Sequence, residues 1–198
     1  TIGKIANRLY RLLPDEDPLF LTICESFLDK EKYGYFSIST LWMKKRHSIF
    51  IPENIDYFES VLFSKINGWA EVDQFCYRVL NKMIELDDSF YSYLEKWSFS
   101  KNKDVRRASL VAMIRSSSIL TLEYDYTKMI TLVERLKTDK DIHVRKAVGW
   151  TLKCAFPTYP HEVENYLRNN VKNLDRLIFR YALEHVEDPL REELLYLK

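Results

Sequence analysis

The sequence has few chain-breaking residues: four glycines and six prolines in 198 positions. Gly3, Gly34, Gly68 and Gly149 stand apart from one another, so no glycine-rich loop can cradle a phosphate, and nucleotide hydrolysis finds no support. Cysteine is equally sparse. Cys24, Cys76 and Cys154 are odd in number and widely spaced, which suits reduced thiols and argues against a disulfide frame or a metal clip. The histidines, His47, His143, His161 and His185, never pair at i, i+4, and "HEVEN" lacks the second histidine of a zinc-protease helix. They read as surface or loop residues. No Gly-x-Ser-x-Gly elbow occurs and no cysteine has a base nearby in sequence, so nucleophilic catalysis has no footing. Neither a metal nor an organic cofactor is expected. No apolar run approaches the ~18 residues of a membrane span, and a cytoplasmic protein without a membrane partner is expected. Excess charge is missing too. Lys and Arg number 30 against 29 Asp and Glu, a net +1, so any nucleic-acid reading must rest on clustering of cations, not on their total.

What the sequence does have is helical periodicity. Apolar residues recur at three- and four-residue spacing, as in Ile55, Phe58, Val61 and Leu62; in Val72, Phe75, Cys76, Val79, Leu80 and Met83; and in Val163, Tyr166 and Leu167. Breaks are expected at Pro14–Pro18, Lys30–Gly34, Asn67-Gly68, Asp87-Asp88, Ser100–Asp104, Ser116–Ser118, Thr138–Asp141 and Pro157–Pro160. They divide the chain into about ten helices of roughly 10 to 16 residues joined by short loops. The fold class is all-α.

Two stretches repeat. "NKDVRRASLVAMI" begins at Asn102 and "DIHVRKAVGWTLK" at Asp141, which puts Val105, Arg106, Arg107 and Ala108 opposite Val144, Arg145, Lys146 and Ala147. A fainter copy, "NGWAEVDQFCYRVL" from Asn67, puts Val72 in the same register. A period of about 40 residues in a helical chain indicates stacked antiparallel helix pairs of the HEAT kind. One pair cannot bury its own apolar stripe, whereas stacked pairs share a core and leave a concave face open for binding. With no linker or low-complexity tract, 1–198 reads as one repeat domain.

The repeat also arranges the polar residues. Asp73, Arg106 and Arg145 fall in one column, and Gln74, Arg107 and Lys146 in the next, about 100° around each helix. Trp69 and Asp73 are four residues apart and share a helix face, as do Lys146 and Trp150. Two readings stay open at this level. Charges after the valine commonly ladder one repeat to the next, and a tryptophan at helical spacing is usually core; alternatively the columns border a groove.

Together these residues resemble the AlkD-type DNA alkylation repair family, helical-repeat glycosylases that remove alkylated purines. "WAEVD" (Trp69 to Asp73) is similar to the family's tryptophan followed four residues later by its catalytic aspartate. "NKDVRRA" resembles the segment whose second basic position faces the DNA, here Arg107. "HVRKAVGWTLK" resembles the near-signature Lys-Ala-x-Gly-Trp stretch and places Trp150 on the second active-site tryptophan; "FRYALEHV" is similar to an arginine-bearing helix near the C-terminus and points to Arg180. The likeness runs from about Leu19 to Val186. Gly68 stands where an aromatic often precedes the tryptophan, and Asp104 where another tryptophan is common. The family usually carries one or two helices ahead of the point where this chain begins, and the 1–198 domain is expected to lack them.

The resemblance implies an enzyme, a DNA-alkylpurine N-glycosylase acting as a monomer on double-stranded DNA with alkylated bases, cytoplasmic and nucleoid-associated if its source is bacterial. An N3- or N7-alkylated purine is positively charged and already a good leaving group. Asp73 would stabilise the oxocarbenium-like sugar and orient water. Trp69 and Trp150 would cradle the charged nucleotide, without drawing the base into a pocket. Arg107, Lys146, Arg145 and Arg180 would hold phosphates. The competing expectations are a DNA-structure binder without catalysis and a protein scaffold on the same repeat. Gly149 is expected to let a neighbouring helix pack close behind Trp150, and "MKKRH" (Met43 to His47) reads as a solvated helix end.

Overall fold

The computed structural model describes residues 1–30, 32–115, 122 and 124–197. Regular structure among them is helical, with no β-strand, and it forms two compact units, Thr1–Phe90 and Tyr91–Lys198.

The first unit holds α1 (Ile2–Tyr10), α2 (Asp17–Leu28), α3 (Tyr33–Lys45), α4 (Ile55–Ser64), α5 (Trp69–Phe75) and α6 (Asn81–Leu86). Its core is aromatic. Phe20, Trp42 and Phe58 are buried, and the Trp42 indole N–H donates to the Ala6 carbonyl at 2.9 Å, which fixes α3 against α1. The periodic residues of α4, Ile55, Phe58, Val61 and Leu62, all face inward. The helix begun by α5 does not stop at Phe75 but passes through a π-helical turn, Cys76–Leu80, into α6, and Val72 to Met83 bury their apolar positions along it. Arg78 in that turn donates to the Thr40 hydroxyl at 2.7 Å and to the Ser37 hydroxyl at 3.2 Å, while Gln74 donates to the Tyr33 hydroxyl. Both clamp the α5 helix onto α3.

The second unit holds α7 (Tyr91–Ser98), α8 (Lys103–Val111), α9 (Tyr126–Leu136), α10 (Ile142–Ala155), α11 (Pro160–Asn169), α12 (Arg176–Ala182) and α13 (Leu190–Leu197). The repeat explains its frame. Asn102 caps α8 by accepting from the Asp104 N–H (2.9 Å), Asp141 caps α10 through His143 N–H (2.8 Å), and Asp175 caps α12 through Leu177 N–H (2.8 Å). The third residue past each cap, Val105, Val144 and Ile178, is fully buried. α12 is therefore a third copy of the unit that begins α8 and α10. Periodicity missed it because isoleucine replaces valine and the interval from the previous cap is shorter.

α10 and α12 are pressed together at Gly149, as its lack of a side chain leads one to expect. A Cβ there would lie 2.5 Å from the Tyr181 Cβ and 2.8 Å from the Ile178 carbonyl oxygen. No side chain larger than hydrogen fits without moving α12.

The helices are shorter and more numerous than periodicity predicts, from six residues in α6 to fourteen in α10. Additional interruptions are the 3-10 turns at His47–Ile49 and Pro52–Asn54 and the segments after α11 and α12. The expected break at Ser116–Ser118 lies outside the described residues. "MKKRH" is only in part a solvated end: Lys44 and Lys45 are exposed, but Met43 is buried and Arg46 donates to the Asp15 carbonyl at 2.9 Å.

Candidate nucleic-acid interface

In the first unit, the Asn67-Gly68 break sets up the start of α5. Gly68 has φ = 87°, a conformation an L-residue seldom adopts, so an aromatic there would be strained. Glu71 reaches back to accept from the Asn67 N–H at 3.1 Å, a close variant of the capping box. The result is that Trp69, first in α5, is 50% exposed, while Asp73, one turn further, is only 7% exposed. Trp42 and Trp97 are core residues at 2% and 1%. The expectation that helical tryptophans are core holds for those two and fails for Trp69.

In the second unit, the structure brings Arg107 and Trp150 together. Arg107 is almost fully buried; its guanidinium lies 5.8 Å from the Trp150 ring centroid and donates to the His143 carbonyl. Trp150 is half-buried, so part of the indole reaches solvent. Lys153, one turn beyond Trp150 on α10, lies 5.8 Å from the same ring and pairs with Glu184 at 2.8 Å. The indole is thus held by two cations at the angle α10 gives it.

The two basic columns have different fates. Arg106 makes a two-pronged ion pair with Asp139 (2.6 and 3.0 Å) and donates to the Ser100 and Lys101 carbonyls. Arg145 copies it one repeat on, pairing with Asp175 at 3.0 Å and donating to the Asp139 and Lys140 carbonyls. This column is a ladder between repeats. The Arg106 donors and the Arg145 Nη1 are spent on the protein, so both arginines serve the frame of the repeat. Burial opposes ionisation of Asp139, but hydrogen bonds from Arg106 and the Asp141 N–H, with attraction from Arg106 and Arg145, hold its carboxyl below the usual range.

The other column supplies cations to a surface. Arg107, Lys146 and Arg180 are each the fifth residue past their helix's N-cap. Arg107 turns inward, but Lys146 and Arg180 line a cavity of about 590 Å³ with Arg176, Leu177, Tyr181, Glu184, Arg191 and Leu195. The Lys146 ammonium lies 5.9 Å from the Tyr181 ring centroid. Lys153, Arg176 and Arg191 escaped sequence reasoning. The first could have been found from its i, i+3 spacing to Trp150; the others lie outside the repeat's basic column.

Other chemistry is poorly provided for. Burial pushes the Cys24 and Cys154 thiols up to about 12, so neither is a thiolate near neutrality. Among the described residues no group of histidine, cysteine and acidic side chains is placed to hold a metal ion, and no helix is long and apolar enough to cross a membrane.

N-capped helices in register, tied by an arginine ladder and presenting a second basic column, define an all-helical repeat protein. The chain belongs to the DNA alkylation repair enzyme family, whose model matches residues 1–186. Solved structures share the fold. A predicted DNA alkylation repair enzyme from Enterococcus faecalis is 15% identical with a TM-score of 0.78, over 94% of this chain and 83% of that one. AlkD2 from Streptococcus mutans, also 15% identical, has a TM-score of 0.67 over 94% of this chain and 100% of its own. The alkylpurine DNA glycosylase AlkC from Pseudomonas fluorescens, bound to DNA containing an abasic-site analogue, is 16% identical with a TM-score of 0.60; the match covers 92% of this chain and 51% of AlkC. No curated protein matches significantly.

Proposed function

We propose that the protein is a DNA glycosylase that excises positively charged N3- or N7-alkylated purines from duplex DNA. The observation that carries this reading is α5, which sets a half-exposed Trp69 one turn ahead of a largely buried Asp73, in a chain of the alkylation repair family.

Cleavage of the C1′–N bond sends the bonding pair to the cationic base, which leaves neutral, and positive charge develops on the sugar. The Asp73 carboxylate stabilises that charge, worth most where water is scarce, and orients the water whose oxygen bonds to C1′ as its proton passes to that carboxylate. The substrate brings its own leaving-group activation, so no general acid is required. Trp69 packs against the charged nucleotide. In the second unit, Trp150, with Arg107 behind its indole, offers a ring face to deoxyribose C–H groups. Lys146 and Arg180 hold phosphates. A base that stays in the stack is selected by its charge rather than its shape.

Base release separates the possibilities. The protein is expected to free 7-methylguanine and 3-methyladenine from methylated duplex DNA and to leave neutral lesions, such as hypoxanthine, in place. Release of neutral and cationic lesions at comparable rates would refute charge selection. A second reading, duplex binding without base release, draws on the same Lys146–Arg180 cations; it predicts no release of either base.

A further inference from the structure

The cavity between α10, α12 and α13 contains more positive charge than the repeat's basic column contributes. Lys146 comes from α10, Arg176 and Arg180 from α12, and Arg191 from α13. Arg176 and Arg180 are four apart and so stand above one another on one helix face. None of the four has a carboxylate within ion-pairing distance among the described residues, whereas Arg106, Arg135, Arg145 and Arg168 all do. The one acid in the lining, Glu184, is already neutralised by Lys153 at 2.8 Å. In a chain whose net charge is +1, four uncompensated cations around one opening cost self-repulsion unless an anion enters. Leu177, Leu195 and the Tyr181 ring supply the apolar part of the lining, and the close approach at Gly149 brings Tyr181 against α10.

We infer that this cavity is a phosphodiester seat for duplex DNA, in which Arg176 and Arg191 join Lys146 and Arg180 around one backbone phosphate and the apolar part of the lining carries the adjoining deoxyribose. Arginine suits the task because its planar fork gives two parallel N–H donors to one phosphate. The inference deepens the DNA-repair reading by adding two contacts and rests on it for the identity of the polyanion, but it requires no base release.

The test is binding of an undamaged labelled duplex, measured by fluorescence anisotropy across a salt series, for wild type and for R176Q/R191Q. Because Lys146 and Arg180 remain at the phosphate, removing the two arginines is expected to weaken binding and to lower the slope of log K against log[salt] by part of the roughly 0.9 that a whole phosphate contact is worth. E184Q, which takes a carboxylate from the rim, is expected to tighten binding. Each substitution is at the surface, and circular dichroism melts verify that the variants are folded. An R176Q/R191Q slope and affinity equal to wild type, in a folded protein, would overturn the seat. Failure of the glycosylase reading shows in a different experiment, as absence of released base, and leaves the binding slopes unaffected. Tight binding to anionic phospholipid vesicles, with none to duplex, would also overturn the proposal.

Discussion

Gly149 and Trp150 show how adjacent residues divide one task. The glycine gives up its side chain so that Tyr181 and Ile178 can approach the α10 backbone; the tryptophan beside it has both Arg107 and Lys153 5.8 Å from its ring. A methyl group at 149 would meet a Cβ and a backbone carbonyl, neither of which can swing aside like a side-chain end. G149A is therefore expected to lose about 1–3 kcal/mol of stability, read as a lower urea midpoint with an unchanged slope. Stability equal to wild type would mean that α10 and α12 are not packed as described. Trp150 itself is ambiguous in the sequence, since the same spacing serves a core residue and a wall; in the structure it is half-buried.

At the scale of helices, the Arg106 and Arg145 ladder ties one loop to the next. Asp139 is ionised in the folded state at a pH where a solvated aspartate would take up a proton. Its folded pKa is depressed, so its stabilisation is present above the unfolded value of about 3.9 and is lost as the pH falls through the lower folded value. D139N is expected to cost about 1.5–3 kcal/mol near neutral pH and progressively less in acid, so that the stabilities of wild type and variant converge. Urea melts over an acid-to-neutral pH series give the comparison, and a gap independent of pH would contradict the ladder. Much of this level was legible in advance. The all-helical class, the two strongest repeat copies and the breaks at Asn67-Gly68 and Thr138–Asp141 follow from periodicity and cap chemistry. The third copy at Asp175 was obscured because burial at its third position needs only an apolar residue, not a valine. The π-helical turn after α5 was also illegible, because adding one residue to a turn leaves the apolar spacing of Val72 to Met83 almost unchanged.

For the molecule as a whole, net charge is a poor guide and its distribution a good one. Thirty cations nearly cancel twenty-nine anions, yet one column is consumed by the ladder while Lys146 and Arg180 of the next, with Arg176 and Arg191, are left facing a cavity. The sequence placed Arg145 and Lys146 side by side as candidate phosphate contacts. Their fates diverge because the 100° between neighbours on a helix turns one toward the adjoining loop and the other toward solvent. Asp73 was legible as a candidate from its spacing to Trp69 and from the family's pattern; its burial could not be read from composition. The central claim is that this carboxylate acts on the sugar. Single-turnover release of 7-methylguanine from methylated duplex, with protein in excess, tests it most directly. Wild type is expected to release the base, and D73N to do so about 10²–10³-fold more slowly while still binding the duplex. Equal rates for the two proteins would contradict the account.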